Sequence, residues 1–148
     1  MTAISEIWTP PAGMLPEVIT GWKVFYAQAQ RTYGITPAQY RALYLAQLGR
    51  CYICQTARGK HPDDPKGKGT RRLGIDHNHV IGNRIEAVRG LLCTGSLSAD
   101  TCNRMIGRYD YRALQRAVEY VTESPAQSVF AAMRDGLDDA EVQGMAYR

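Results

Sequence analysis

The residues best suited to chemistry form a short segment of acid and imidazole groups, Asp76-His77-Asn78-His79. A carboxylate such as Asp76 offers the hard oxygen ligand that Mg²⁺ prefers. An imidazole such as His77 has a reference pKa of about 6.5 and can accept a proton near neutral pH. Hydrolysis of a phosphodiester requires an activated water and neutralised charge on the phosphate. The segment therefore predicts a hydrolytic site with His77 as general base and Asp76 as a metal ligand.

Further polar side chains extend this predicted site. The amide oxygen of Asn103 is a second hard ligand for Mg²⁺, with Mn²⁺ as a substitute. His79 can share a side with His77 and would orient or neutralise the scissile phosphate. Adjacent side chains of a strand point to opposite faces, so Asp76 and His77 can serve one site only where the backbone turns or bulges. The candidate DNA contacts are arginines, at Arg71, Arg72, Arg84, Arg89 and Arg104.

Four cysteines lie before and after this segment. The two-residue gap between Cys51 and Cys54 lets both sulfurs bind one tetrahedral ion at ~2.3 Å. Cys93 and Cys102 are separated by eight residues, and a loop of that length closes on a metal at little extra entropic cost. We expect the four thiolates to bind a structural Zn²⁺. Three alternatives stay open: an isolated reduced pair, a redox pair, and a zinc site completed by His61 in place of a cysteine.

The positive charge of the chain is concentrated around these motifs. The net charge is +4 over 148 residues, but residues 50–112 contain 12 basic against 6 acidic side chains. Such a region fits a polyanionic partner such as DNA, although a solvated basic loop would give the same count. No export signal and no apolar run of ~18 residues is recognisable, so we expect a cytoplasmic protein with no membrane partner. In that compartment the thiols stay reduced.

Two helices are predicted to support the site. Apolar residues recur at helical spacing over residues 16–31, and Gly34 is a plausible stop. Thr36-Pro37 then supplies a capping hydroxyl and an initial proline for a second helix that ends at Gly49. Residues 55–70 have the composition of an exposed loop.

The rest of the chain predicts a hairpin and a helical tail. Residues 72–77 and 84–88 read as two strands joined by a turn at Gly82-Asn83. Asp110 can cap a helix that ends near Ser124-Pro125, and one or two short helices follow it. The fold class expected is α+β, mostly helical, with a zinc-held hairpin core. We predict one compact domain in three regions: helical support at 1–49, a nuclease core at 50–112, and C-terminal helices at 113–148 that dimerise or contact DNA.

Taken together, these motifs resemble the bacteriophage recombination endonuclease VII family, a branch of the His-Me finger (HNH-type) nucleases. The resemblance covers roughly residues 30–122. It is carried by Cys51-Tyr52-Ile53-Cys54, Ile75-Asp76-His77-Asn78-His79, Val88-Arg89-Gly90-Leu91-Leu92-Cys93 and Cys102-Asn103. It implies a ββα-metal site in which Asp76 and Asn103 bind catalytic Mg²⁺, His77 is the general base, and the four cysteines hold Zn²⁺. It also implies a homodimer that resolves branched DNA, especially four-way (Holliday) junctions.

Two other functions are compatible with the same residues. One is a general HNH-type endonuclease that nicks ordinary duplex DNA. The other is a zinc-stabilised DNA-binding or assembly protein whose nuclease site is inactive. Comparing cleavage of a four-way junction with cleavage of its linear arms separates the first from a resolving nuclease. An Asp76→Ala change that leaves every activity unchanged would identify the second.

Overall fold

The fold combines helices with one small sheet. The computed structural model describes residues 8–57, 59–69, 71–95, 101–106, 111–123 and 125–147. The chain divides into two compact units, Met1–Arg108 and Tyr109–Arg148. Within the described ranges, most of the regular structure is helical and the sheet has two strands. The predicted α+β class with a mainly helical content is therefore confirmed.

The first unit begins with the two predicted helices. Helix α1 spans Pro16–Tyr33, and Gly34 ends it in the left-handed conformation at φ 70°, which glycine adopts without a steric penalty. Helix α2 spans Pro37–Ala46. Thr36 and Gln39 form a reciprocal capping box at its start, so the capping prediction from Thr36-Pro37 is confirmed.

Aromatic side chains from these helices form the core of the unit. Trp22 is fully buried, and its ring stacks on Tyr26 at a centroid distance of 5.3 Å. The Tyr40 hydroxyl donates a hydrogen bond of 2.8 Å to the Leu73 carbonyl, and the Arg72 guanidinium lies 4.4 Å from the centre of the Trp22 ring. These contacts attach the segment that leads into the sheet to both helices.

The sheet is an antiparallel hairpin of β1, Gly74–His77, and β2, Val88–Leu92. The predicted position of the second strand, residues 84–88, is wrong. Residues Ile85–Ala87 form a turn of 3₁₀ helix instead. The strand lies later because Leu91 and Leu92 are buried in the core, whereas residues 84–86 are exposed.

The segment between α2 and β1 is irregular, as predicted, but only part of it is exposed. Pro62 is fully buried. The Leu15 amide donates to the Pro65 carbonyl at 3.0 Å, and Arg41 forms an ion pair of 2.7 Å with Asp63. The loop is therefore packed against the two helices. Its amino-acid composition did not indicate this packing.

Short helices complete the two units. Helix α3, Cys102–Ile106, follows the hairpin in the first unit. The second unit contains α4, Tyr111–Thr122, α5, Pro125–Arg134, and α6, Asp139–Val142, followed by a 3₁₀ turn at Met145–Tyr147. The predicted cap at Asp110 lies outside the described residues. The predicted end of this helix near Ser124-Pro125 is confirmed, because α4 ends at Thr122 and α5 begins at Pro125. None of the helices in the described part of the chain combines the length and apolar character that a membrane crossing requires.

Candidate active site and metal centre

The strand pairing of the hairpin is irregular at the Asp76-His77 step. The sequence analysis called for a turn or bulge at this step, because adjacent side chains of a regular strand point to opposite faces. Asp76 pairs with Gly90, whereas His77 pairs with Val88, so Arg89 has no partner opposite it on β1. An extra residue of this kind is a β-bulge, which bends a strand and redirects its side chains. The bulge lies on β2, opposite the Asp76-His77 step, and it turns Arg89 toward Asp76.

Asp76 and Arg89 form a two-pronged ion pair. Arg89 Nε donates to Asp76 Oδ2 at 2.7 Å, and Nη2 donates to Oδ1 at 3.0 Å. The Asp76 side chain is 8% exposed, and that of Arg89 is 42% exposed. Hydrogen bonds to the carboxylate raise the pKa of Arg89, as expected for a bidentate charge-assisted pair. The carboxylate that the sequence assigns to a metal thus has a cationic partner within the protein.

The imidazole of His77 contacts two other rings. It packs against Tyr33 at a centroid distance of 4.9 Å and stacks on His79 at 4.5 Å with an interplanar angle of 17°. Burial, and then the neighbouring His79, lower the pKa of His77, while Asp76 acts in the opposite direction. The neutral imidazole that a general base requires is therefore favoured.

Asn103 lies on the face of the hairpin that carries Asp76. A Cβ added at Gly74 would clash with the Thr94 methyl group and would lie 3.3 Å from Nδ2 of Asn103. Residues 74 and 76 of a strand point to the same face, so the Asn103 amide and the Asp76 carboxylate share it. The donor set of one carboxylate and one carboxamide oxygen on one face fits a hard divalent cation.

The four cysteines converge, as the sequence predicts. Their sulfurs all lie within 4.8 Å of one another. The Cys54 and Cys93 sulfurs are 3.9 Å apart, close to the ~3.8 Å between ligands of a tetrahedral zinc with bonds of ~2.3 Å. Cys51 and Cys54 follow α2, Cys93 directly follows β2, and Cys102 begins α3. The arrangement suggests a structural zinc site that joins these three elements.

The protonation of the thiols is consistent with a cation at this position. Hydrogen bonds with Thr56 lower the pKa of Cys54 to about 6. Burial, followed by the neighbouring thiols, raises the pKa of Cys102 to about 12. Four adjacent thiolates are therefore disfavoured unless a cation compensates their charge, which a bound zinc does.

His61 does not join the thiol cluster. Its Nδ1 accepts a hydrogen bond of 2.9 Å from the Asp63 amide, and its ring packs against Tyr44 at 5.0 Å. The metal-binding group found among the described residues consists of the four cysteines. The alternative in which His61 replaces a cysteine has no support in this geometry.

The arginines predicted to contact DNA differ in their surroundings. Arg71, Arg84 and Arg104 are exposed, and their phosphate contacts stay predictions. Arg72 is partly buried over Trp22, and this burial lowers its pKa. Arg72 therefore has a packing role that the sequence did not indicate, and a phosphate contact would require its side chain to leave the aromatic core.

Two residues near the site were missed by the sequence analysis. Tyr33, the last residue of α1, packs on His77. Gln47 binds the backbone of Leu91 twice: its Oε1 accepts from the amide at 2.9 Å, and its Nε2 donates to the carbonyl at 2.8 Å. Gln47 thereby satisfies the Leu91 amide and shares the Leu91 carbonyl with the Tyr52 amide. Both contacts cross more than forty residues of sequence, so no local motif could have indicated them.

Comparison with known proteins agrees with these features. A family model described as recombination endonuclease VII matches residues 26–123. The Gene 59 protein of Mycobacterium phage D29 is 44% identical over 101 residues, which cover 66% of this chain and 50% of that protein. The Gene 59 protein of Mycobacterium phage L5 is 41% identical over 101 residues, with the same coverage. The chain thus spans about half the length of the curated relatives it matches. No solved structure matches it.

Proposed function

The chain belongs to the recombination endonuclease VII family, and from this membership we propose that it is a Mg²⁺-dependent DNA endonuclease that resolves branched DNA. The observation that carries the proposal is the bulged hairpin. Three of its features support the proposal: the Asp76 carboxylate is buried, the pKa of His77 is lowered, and the Asn103 amide lies beside Gly74, which points to the same face of β1 as Asp76. These are the groups that phosphodiester hydrolysis uses.

In the proposed mechanism, His77 accepts a proton from the water that attacks the phosphorus. Burial and His79 support this role because they lower the pKa of His77 and so favour the neutral imidazole. His79 orients the scissile phosphate, and Asp76 and Asn103 would hold the Mg²⁺. Bound Mg²⁺ would supply charge neutralisation on the phosphate and on the departing 3′ oxygen. Cleavage at that oxygen leaves a 5′-phosphate and a 3′-hydroxyl.

The finer assignments are also proposals. We assign β1, β2 and α3 to the ββα-metal motif of His-Me finger nucleases, with Zn²⁺ on the four thiols as its structural staple. We further propose that the active form is a homodimer, because resolving a junction requires two nicks and two sites related by symmetry supply them. The proposed substrate, branched DNA, comes from the family resemblance, and the exposed arginines supply the charge that a phosphate backbone attracts.

The test is a cleavage assay with Mg²⁺ on a four-way junction and on its separate linear arms. Asp76→Asn and His77→Ala should each lower the cleavage rate by about 100-fold or more, while DNA binding is retained. His61→Ala is the control, since this histidine lies outside the hairpin, and it should cleave normally. Equal rates on junction and linear DNA would favour a general nicking endonuclease. Cleavage that survives both hairpin variants would rule out this site as its source.

A further inference from the structure

We propose that Arg89 occupies the cation position of Asp76 in the metal-free protein and competes with the divalent cation for that carboxylate. When the cation binds, Arg89 is released and becomes available to a DNA phosphate. This inference rests on the proposed function, because it takes Asp76 as a ligand of the catalytic metal. It assigns Arg89 a positioning role that neither the family comparison nor the phosphate-contact prediction includes.

The geometry of the pair supports competition. Nε and Nη2 of Arg89 each take one oxygen of Asp76, at 2.7 and 3.0 Å, so both oxygens already face a positive group. A cation bound at the 2.0–2.1 Å typical of Mg²⁺ would lie close to this guanidinium. Two like charges on one carboxylate repel each other, so binding of the cation disfavours the ion pair.

Burial explains why a substitute cation is needed. The Asp76 side chain is only 8% exposed, and a buried carboxylate without a partner is strongly destabilising. In the metal-free protein, Arg89 supplies that partner from the bulge on β2. The hairpin can therefore fold before the divalent cation binds.

The surroundings of Arg89 explain how it can serve a second partner. Its side chain is 42% exposed, and the bulge leaves it without a cross-strand neighbour. Only two of the five N–H donors of the guanidinium bind Asp76. Once released, the planar fork matches the oxygens of a phosphate. Metal binding and DNA binding would then be coupled through one side chain.

The test measures Mn²⁺ affinity by calorimetry on the zinc-loaded protein without DNA. Arg89→Lys keeps the charge but loses the two-pronged geometry, and it should bind Mn²⁺ at least about threefold more tightly, the gain expected from losing one hydrogen bond of ordinary net strength. Arg89→Gln removes the charge as well and should bind about tenfold more tightly. Arg31→Gln, an exposed arginine of α1, controls for the loss of net charge and should match the wild type.

Each contrary outcome has a distinct meaning. If Arg89→Lys binds Mn²⁺ with the wild-type affinity, the competition is overturned. The two-pronged ion pair would then not affect Mn²⁺ binding, and Arg89 would act on the cation only through its long-range charge. If either Arg89 variant binds Mn²⁺ more weakly, Arg89 supports the metal site and the inference is again wrong. Asp76→Asn separates these outcomes from failure of the proposed function. If Asp76→Asn binds Mn²⁺ as well as the wild type, Asp76 is not a ligand, and both proposals fail.

Discussion

The protonation of His77 gives a prediction at the scale of one residue. Burial and His79 lower its pKa from 6.5, so the neutral base persists below that pH. With saturating Mg²⁺, kcat/KM should be flat above about pH 6.5 and should fall only at lower pH, as the imidazole gains a proton. His79→Ala removes one cause of the lowered pKa, so the midpoint of this fall should move to higher pH.

The midpoint, rather than the rate, tests the electrostatic role of His79, because loss of His79 can also slow the reaction by releasing the phosphate. His61→Ala is the control and should leave the midpoint in place, since His61 is not among the groups that shift the pKa of His77. A midpoint that stays constant or moves to lower pH in His79→Ala would contradict an electrostatic effect of His79 on the pKa of His77.

At the scale of single residues, the sequence indicates candidates for the site, and the roles of these candidates stay predictions. Asp76, His77 and Asn103 could be selected because carboxylate, imidazole and carboxamide groups have few chemical uses in such a cluster. The ion pair between Asp76 and Arg89 could not be predicted. It depends on a one-residue shift in strand pairing, which side-chain type alone does not encode.

Gln47 gives a prediction at the scale of elements, because it connects the end of α2 to the edge of β2. Gln47→Ala would leave the Leu91 amide without its hydrogen-bond partner and would remove one hydrogen bond to the Leu91 carbonyl. A partly buried polar group that loses its partner costs about 1–3 kcal/mol. The free energy of unfolding, measured with urea, should fall by about that amount.

Gln28→Ala is the matched control, because Gln28 is an exposed glutamine of α1. Its change in unfolding free energy should stay within about 0.5 kcal/mol. Equal stability of the two variants would show that the Gln47 contacts do not hold the strand edge. A loss confined to Gln47→Ala would identify the contact that aligns β2, and with it Arg89 and Cys93.

The elements were predictable where local chemistry sets their limits. Gly34 and Thr36-Pro37 mark the end of α1 and the start of α2 through backbone conformation and capping. The second strand was misplaced because residues 84–88 contain a suitable β pattern, whereas the choice of residues 88–92 depends on burial of Leu91 and Leu92. Tertiary packing decided that strand, as it commonly does for strand preferences.

At the scale of the whole molecule, the four cysteines show how spacing can predict a long-range contact. The pairs at positions 51 and 54 and at 93 and 102 are far apart in sequence, yet their sulfurs gather within 4.8 Å. One ion that requires four ligands would give those separate positions a common location. The aromatic core had no such constraint, and the placement of Arg72 over Trp22 was accordingly missed.

Removal of the metal from the thiol cluster should loosen the first unit and abolish cleavage. The cluster joins the segment after α2 to the end of β2 and to α3, which carries Asn103. Because structural zinc contributes its binding free energy to folding, Cys54→Ser should lose the metal and lower Tm by more than about 10 °C.

The wild type should contain one zinc per chain by elemental analysis. His61→Ala should retain that zinc, because its ring lies against Tyr44 outside the cluster. Zinc that persists in Cys54→Ser, or disappears in His61→Ala, would mean that the ion is held by a different set of ligands.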